Sequence, residues 1–272
     1  MMKKTEAIIF DWAGTTVDYG CFAPVKAFIS AFNEYKIEPT VEEVRKPMGI
    51  AKRDHVKAML EMPRIAAEWE KIYGRPVEEK DVGAIYERSE ELIFEVLPEY
   101  SAPKPYVCET VQKLRDAGIK IGSTTGYNDE MMAIVTEKAA EQGYAPDCWF
   151  SPNSTGFVGR PYPFMIFNNL QTLKVSSVSA ALKVGDTVAD ILEGKNAGMK
   201  TVGIIEGSSL MALSEEEFDA LTEEEKARER DRVFKVYKDC GADYIINDIR
   251  GLCDIVLSKC GKKYGYGISR NR

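Results

Sequence analysis

The sequence contains no CxxC pair and no dense cysteine framework, although cysteines occur at Cys21, Cys108, Cys148, Cys240, Cys253 and Cys260. In a chain of 272 residues without a secretory signal, such scattered cysteines read as reduced thiols rather than a disulfide scaffold. No apolar run is long enough to span a bilayer, and there is no low-complexity segment or internal repeat. The opening Met1-Met2-Lys3-Lys4-Thr5-Glu6 passes straight into apolar residues. That leaves no room for a signal peptide and sets the expectation of a cytoplasmic protein. Positive charge is in deficit: the formal net charge is -7, which disfavours nonspecific binding to nucleic acid or to an anionic membrane. An anionic small substrate stays open, because a local site can be positive within an acidic protein.

What is present is an ordinary globular composition, 44% hydrophobic and 29% charged, in a chain long enough for one large core, or for one core with a smaller companion domain. The stretch Ile8-Ile9-Phe10-Asp11-Trp12-Ala13-Gly14-Thr15-Thr16-Val17-Asp18 organises it. A strand over 6–10 would deliver Asp11 at its carboxyl end, where ligands gather in open parallel sheets. A carboxylate mounted there is suited to be a nucleophile or a metal ligand.

From Cys21 to about Tyr100 the pattern is helical. Phe22, Val25, Phe28, Ile29 and Phe32 recur at three- and four-residue intervals and share one face. Thr40 and Glu43 have capping-box spacing, and Pro47 and Gly49 mark a break. Further helices are expected over 51–61, stopping near Pro63, then over 65–73 and 82–96, up to the proline-rich 101–105. Beyond it strands and helices alternate, with helices over 107–117, 131–142, 164–173 and 188–197. Strands are expected over 119–125, 148–150, 182–185, 201–205 and 244–246. This alternation predicts an α/β fold, a Rossmann-like doubly wound parallel sheet covered on both faces. The core would comprise 1–20 and 101–272, with 21–100 inserted as a helical cap. Residues 206–236 read as a second helical excursion, with Ser214/Glu217 and Thr222/Glu225 at capping-box spacing, and 261–272 as a frayed tail.

A second apolar strand ends in a carboxylate at Val184-Gly185-Asp186, with Asp190 following at a helix start. Strand-end acids often serve as turn formers or helix caps, but two of them at one sheet edge can share a divalent metal, and oxygen ligands favour magnesium. Between them lie Ser123-Thr124-Thr125-Gly126-Tyr127 at another strand end and Gly159-Arg160-Pro161-Tyr162-Pro163 before a helix. A hydroxyl and a guanidinium suit an anionic phosphoryl group. Whether Thr124 or Thr125 faces the site depends on strand phase and stays open.

Asp11 with Gly14-Thr15, Thr125, Arg160 before Pro161, and Gly185-Asp186 with Asp190 resemble the four motifs of the haloacid dehalogenase superfamily, over most of the chain. The resemblance implies that Asp11 attacks phosphorus, giving an aspartyl phosphate that water hydrolyses. Two positions depart from the usual pattern. Ala13 stands where phosphatases of the superfamily carry a second aspartate, and Arg160 stands where the third motif usually has lysine.

The longer run Asp11 to Gly20, with Met48-Gly49 and Lys52-Arg53-Asp54-His55, closely resembles the phosphonoacetaldehyde hydrolase family. That resemblance implies hydrolysis of phosphonoacetaldehyde to acetaldehyde and phosphate with one Mg2+. It implies Lys52 as the imine-forming lysine, and Asp11, the Ala13 carbonyl and Asp186 as metal ligands supported by Asp190. Thr125 and Arg160 would bind phosphoryl oxygens, Met48, Cys21 and Tyr127 would line the pocket, and the cap would carry a homodimer interface.

Elementary chemistry agrees with this branch. Breaking a carbon–phosphorus bond expels a carbanion, which an acid for a leaving alcohol does not help, whereas an imine is an electron sink that lets the group leave as an enamine. Ala13 and Lys52 are then one change of mechanism. The break before Lys52 puts it near a helix N-terminus, whose dipole disfavours an ammonium by about 0.3 to 1 kcal/mol. His55, the only histidine, shares its helix face and is expected to relay protons. The competing readings are a capped phosphatase or phosphomutase for a small sugar phosphate, which Ala13 disfavours, and a catalytically silent binding protein of the same fold.

Overall fold

The apolar run before Asp11 becomes β1 (Ala7–Phe10), buried along its whole length. The structure is a computed structural model describing residues 5–257. Around β1 lie β2 (Lys120–Thr124), β3 (Cys148–Phe150), β4 (Ala181–Gly185), β5 (Lys200–Ile204) and β6 (Tyr244–Ile246), in the order β3-β2-β1-β4-β5-β6. Every pairing is parallel. Phe10 pairs with Ser123 on one side and Val184 on the other, so Asp11, Thr125 and Asp186 leave the sheet at the same edge. The chain order reverses direction at β1, and the crevice outside such a switch point is where open α/β sheets bind ligands.

Strand residues alternate between two helical layers. Ile8 and Phe10 pack with α6 (Val107–Asp116), α7 (Asp129–Glu141) and α12 (Gly251–Val256), through residues such as Val111, Met132 and Leu252. Ala7 and Ile9 pack on the opposite face against Ile166 and Leu170 of α8 (Phe164–Thr172). Burial on both faces explains the near-continuous apolar character of the strands. After β4 the chain enters α9 (Val188–Asn196).

Between β1 and α6 the chain builds α1 (Ala23–Glu34), α2 (Val41–Arg45), α3 (Lys52–Leu60), α4 (Pro63–Tyr73) and α5 (Glu79–Val96). These helices enclose a separate apolar cluster that includes Phe28, Phe32, Val56, Met59, Trp69 and Ile85. Thr40 and Glu43 cap α2 reciprocally, as their spacing predicts. α3 ends at Leu60, just before Pro63 as expected, and Pro63 itself opens α4 at its first position, where its missing N–H forfeits no helical bond. Ser214 and Thr222 likewise open α10 (Glu215–Ala220) and α11 (Glu223–Asp239) with capping boxes.

The short α12 has no counterpart in the sequence reading, because six residues are too few to show a 3.6 period. The tail expected over 261–272, and Cys260, lie outside the described residues. Among the described residues no helix is long and apolar enough to cross a membrane.

Candidate active site

The turn after Asp11 is wound tightly enough to carry a second acid on its back. The Trp12 carbonyl accepts from the amides of Thr15, Thr16 and Val17. Gly14 has φ +84°, and a Cβ there would sit 2.1 Å from Asp186 Oδ2, so only glycine lets Asp186 lie against the turn. Thr15 Oγ1 donates to Asp186 Oδ1 at 3.1 Å, and the Ser209 amide donates to Oδ2 at 2.8 Å. Asp18, at the end of the same turn, serves the next helix instead. It accepts from the Phe22 and Ala23 amides at 2.9 and 3.0 Å, at the start of α1. Burial pushes its carboxyl up to about 6.

Carboxylate oxygens of Asp11, Asp186 and Asp190 lie within 4.8 Å of one another, all three residues buried. Burial, then the charges of Asp11 and Asp190, pushes the Asp186 carboxyl up to about 8, and burial raises Asp11 as well. Hard oxygen donors at one sheet edge, with more negative charge than they tolerate alone, fit a divalent cation. Asp190 is held differently. Its Oδ1 lies 3.1 Å from Arg160 Nη1 and 3.0 Å from Lys183 Nζ. Its Oδ2 accepts from the Thr187 amide at 3.2 Å and from Thr187 Oγ1 at 2.5 Å. Burial would raise this carboxyl, but Arg160 and Lys183 outweigh it and hold Asp190 below the ordinary value.

Arg160 arrives from a loop whose peptide to Pro161 is cis. Its Nη2 donates to Asp11 Oδ1 at 2.6 Å and to the Thr124 carbonyl at 2.8 Å, and its Nη1 donates to the Gly49 carbonyl at 3.2 Å. One guanidinium thus touches the strand-end acid, the neighbouring strand and the loop before α3.

Lys52 is the first residue of α3 and only 8% exposed. Its Nζ lies 4.9 Å from the centroid of the Tyr127 ring and 5.8 Å from that of Phe28. Burial lowers its pKa, which favours the free amine. A cavity of about 20 Å³ brings Lys52 together with Asp11, Ala13, Cys21, Met48, Thr125, Tyr127 and Arg160. That is room for about one water molecule, with the helical block lying against the sheet edge. Gly49, with φ +95°, marks the contact: a Cβ there would come within 2.4 Å of Thr187 Oγ1. A larger cavity of about 450 Å³ also has Lys52 in its lining.

Three sequence-based expectations are revised or resolved. His55 does not line the cavity. Its Nε2 donates to the Val44 carbonyl at 2.7 Å, its ring stacks on Phe28 at 4.3 Å, and burial followed by the Lys52 charge keeps its pKa well below the ordinary value. The side chain faces the apolar cluster behind Lys52 and ties α3 to α2, which suits a positioning residue better than a proton relay. Thr125 lines the cavity, its Oγ1 accepting from the Tyr127 amide at 3.0 Å, while Thr124 points to the other side, towards Glu193. The third revision is an addition: Lys183 and Glu193, unremarked in the sequence, surround Arg160 from below. A lysine inside an apolar strand and a glutamate on an ordinary helix carry no local signal of their meeting.

Comparison with known proteins places this geometry. Residues 5–198 match the model of haloacid dehalogenase-like hydrolases, and 157–250 match a second HAD-like hydrolase model. A phosphonoacetaldehyde hydrolase of Bacillus cereus (strain G9842) is 49% identical over 253 residues, covering 93% of this chain and 96% of that protein. One from Lysinibacillus sphaericus (strain C3-41) is 48% identical, covering 92% and 93%. The solved structure of a phosphonoacetaldehyde hydrolase-like protein from Oleispira antarctica superposes with a TM-score of 0.91 at 36% identity, covering 94% of this chain and 92% of that one. The strand-end acids, the closed helical block and these relatives agree, and the chain belongs to the haloacid dehalogenase-like hydrolases, within the phosphonoacetaldehyde hydrolase family.

Proposed function

We propose that the chain hydrolyses phosphonoacetaldehyde to acetaldehyde and phosphate, through an imine on Lys52 and an aspartyl phosphate on Asp11. The single observation that carries this reading is that a buried lysine and the strand-end Asp11 line one cavity, with Ala13 rather than an acid between them. Burial lowers the pKa of Lys52, which favours the free, nucleophilic amine.

The amine of Lys52 adds to the aldehyde carbon, a proton is taken up and water leaves, forming the protonated imine. An Asp11 oxygen then attacks phosphorus while the carbon–phosphorus electron pair moves into the protonated imine, giving a neutral enamine and the aspartyl phosphate. Ala13 supplies no proton here, and none is needed, because the leaving group is not an alcohol. The enamine takes a proton at carbon, and water hydrolyses the resulting imine to acetaldehyde and free Lys52. A second water hydrolyses the aspartyl phosphate and returns Asp11. Arg160 and Thr125 hold the phosphoryl oxygens through these steps, while Cys21, Met48 and Tyr127 exclude bulk water around Lys52. His55 serves by fixing the start of α3. Asp11, the Ala13 carbonyl and Asp186, with Asp190 behind them, would hold Mg2+, which when bound offsets negative charge on the phosphoryl group.

On this reading residues 21–100 act as a cap that opens for substrate and closes for chemistry, over a core of 1–20 and 101–272. A cytoplasmic homodimer joined through the cap completes the proposal. The direct test of the activity is release of acetaldehyde and phosphate in equal amounts from phosphonoacetaldehyde, dependent on Mg2+ and abolished in Asp11→Asn. Phosphate release from a simple sugar phosphate at a higher kcat/KM would replace it with the phosphatase reading.

A further inference from the structure

Beneath the cavity lies a layer of charge that the reaction steps leave unassigned. Lys183 on β4 and Glu193 on α9 are both fully buried and pair at 3.1 Å. Glu193 Oε2 also accepts from Arg160 Nε at 3.0 Å. Thr124 Oγ1 joins all three: it donates to Glu193 Oε2 at 3.0 Å and accepts from Arg160 Nη2 at 2.8 Å and Lys183 Nζ at 2.7 Å. One donor and two acceptor lone pairs are the full capacity of a hydroxyl, so the Thr124 hydroxyl is fully used in joining the three. Lys183 Nζ further lies 3.0 Å from Asp190 Oδ1.

Stability gives little reason for such a pair, since an apolar pair of similar volume is often as stable or more so. Direction is what the pair supplies. A guanidinium is planar, and with its Nε edge committed to Glu193 its plane is set and Nη2 is aimed at Asp11 Oδ1, 2.6 Å away. A lysine at position 160 would have no Nε–H to offer Glu193, so Arg160 and Glu193 form a matched pair.

We propose that Lys183 and Glu193 are positioning residues for Arg160. Glu193 orients the guanidinium, and Lys183 compensates the charges of Glu193 and Asp190 so that neither draws Arg160 away from Asp11. The proposal deepens the lysine-imine reading and rests on it for its assay.

The test compares trapping with turnover. Wild-type protein is treated with carbon-labelled phosphonoacetaldehyde and borohydride, and label on Lys52 is measured beside phosphate release. Glu193→Leu and Lys183→Met are expected to trap label to the wild-type extent but to release phosphate about 10–100-fold more slowly, the usual effect of removing a partner of a site residue. Glu193→Gln, whose amide oxygen still accepts from Nε, is expected to recover most of the rate. Wild-type phosphate release in Glu193→Leu contradicts the proposal. So does a parallel loss of trapping and release in Lys183→Met and Glu193→Gln, which would make the pair purely structural. If wild-type protein itself traps no label, the imine reading falls, and the positioning proposal then stands or falls on slowed release in Glu193→Leu and its rescue in Glu193→Gln.

Discussion

Arg160 Nη2 donates to Asp11 Oδ1 at 2.6 Å, joining residues 149 apart in the chain. The cation meets the acid in a site where both are buried. Arg160→Lys keeps the charge but loses the bond to Glu193 and the fixed plane, and kcat/KM is expected to fall about 10–100-fold. Arg160→Met leaves Asp11, Asp190 and Glu193 without their shared partner and is expected to lower stability by about 3–5 kcal/mol, read by denaturant unfolding. Retention of wild-type stability in Arg160→Met would refute this view of the cluster.

Gly49 is where the helical block meets Thr187 of the core. Alanine there meets both an unfavourable backbone at φ +95° and the Thr187 side chain at 2.4 Å. The backbone term alone is about 1 kcal/mol, and on the proposed mechanism closure would bring Lys52 over Asp11. Gly49→Ala is expected to lower kcat/KM about tenfold or more, with a melting temperature only slightly reduced. Unchanged kinetics would show that closure does not use this contact.

If Asp186 holds the metal as proposed, it would carry the pH dependence of metal binding. Without metal, the folded protein holds a proton on this carboxyl up to about pH 8, whereas the ordinary value is 3.8. Between those values the folded state binds more protons, so this contribution to stability is present below the ordinary value and is lost as pH rises towards 8. A divalent cation takes the deprotonated form. Mg2+ at a fixed saturating concentration should therefore raise the melting temperature more at pH 8 than at pH 6, with about 2.7 kcal/mol expected at 100 times Kd. Asp186→Asn should remove the effect, and equal shifts at both pH values would count against the assignment.

His55 bridges α3 to the Val44 carbonyl and stacks on Phe28. Its truncation in His55→Ala is expected to cost roughly 2–5 kcal/mol of stability, in the range of other large-to-small core changes. The pH dependence of kcat/KM should keep its shape, because the ring is neutral in the folded protein and outside the cavity. Disappearance of an acid limb near the ordinary histidine pKa would restore the relay role.

Much of the fold was legible because its signals are local. The run ending at Asp11, the second ending at Asp186, and the capping boxes at Thr40, Ser214 and Thr222 each announce an element within a few residues. Pro63 was ambiguous because proline both ends and begins helices, and α12 was too short to show a period. Within the site, Lys52 and Asp11 were legible through motif resemblance, but their shared cavity is a property of the folded chain. The choice between Thr124 and Thr125 turned on strand phase, which the pairing with β1 fixes. Lys183 and Glu193 gave no local sign, because a strand lysine and a helix glutamate read as solvated until β4 and α9 pack together.

The proposed chemistry turns on Lys52, rather than a second aspartate, making the bond to phosphorus breakable. Burial lowers its pKa, so kcat/KM should rise with pH and level off below the ordinary lysine value of 10.5. Borohydride reduction during turnover, followed by mass spectrometry of the modified peptide, addresses this step without intermediaries. Irreversible inactivation is expected, with one substrate-derived adduct on Lys52 that is absent in Lys52→Arg, whose activity should fall on the order of 10³-fold or more. Full activity after borohydride and substrate, with Lys52 unmodified, would contradict the imine route.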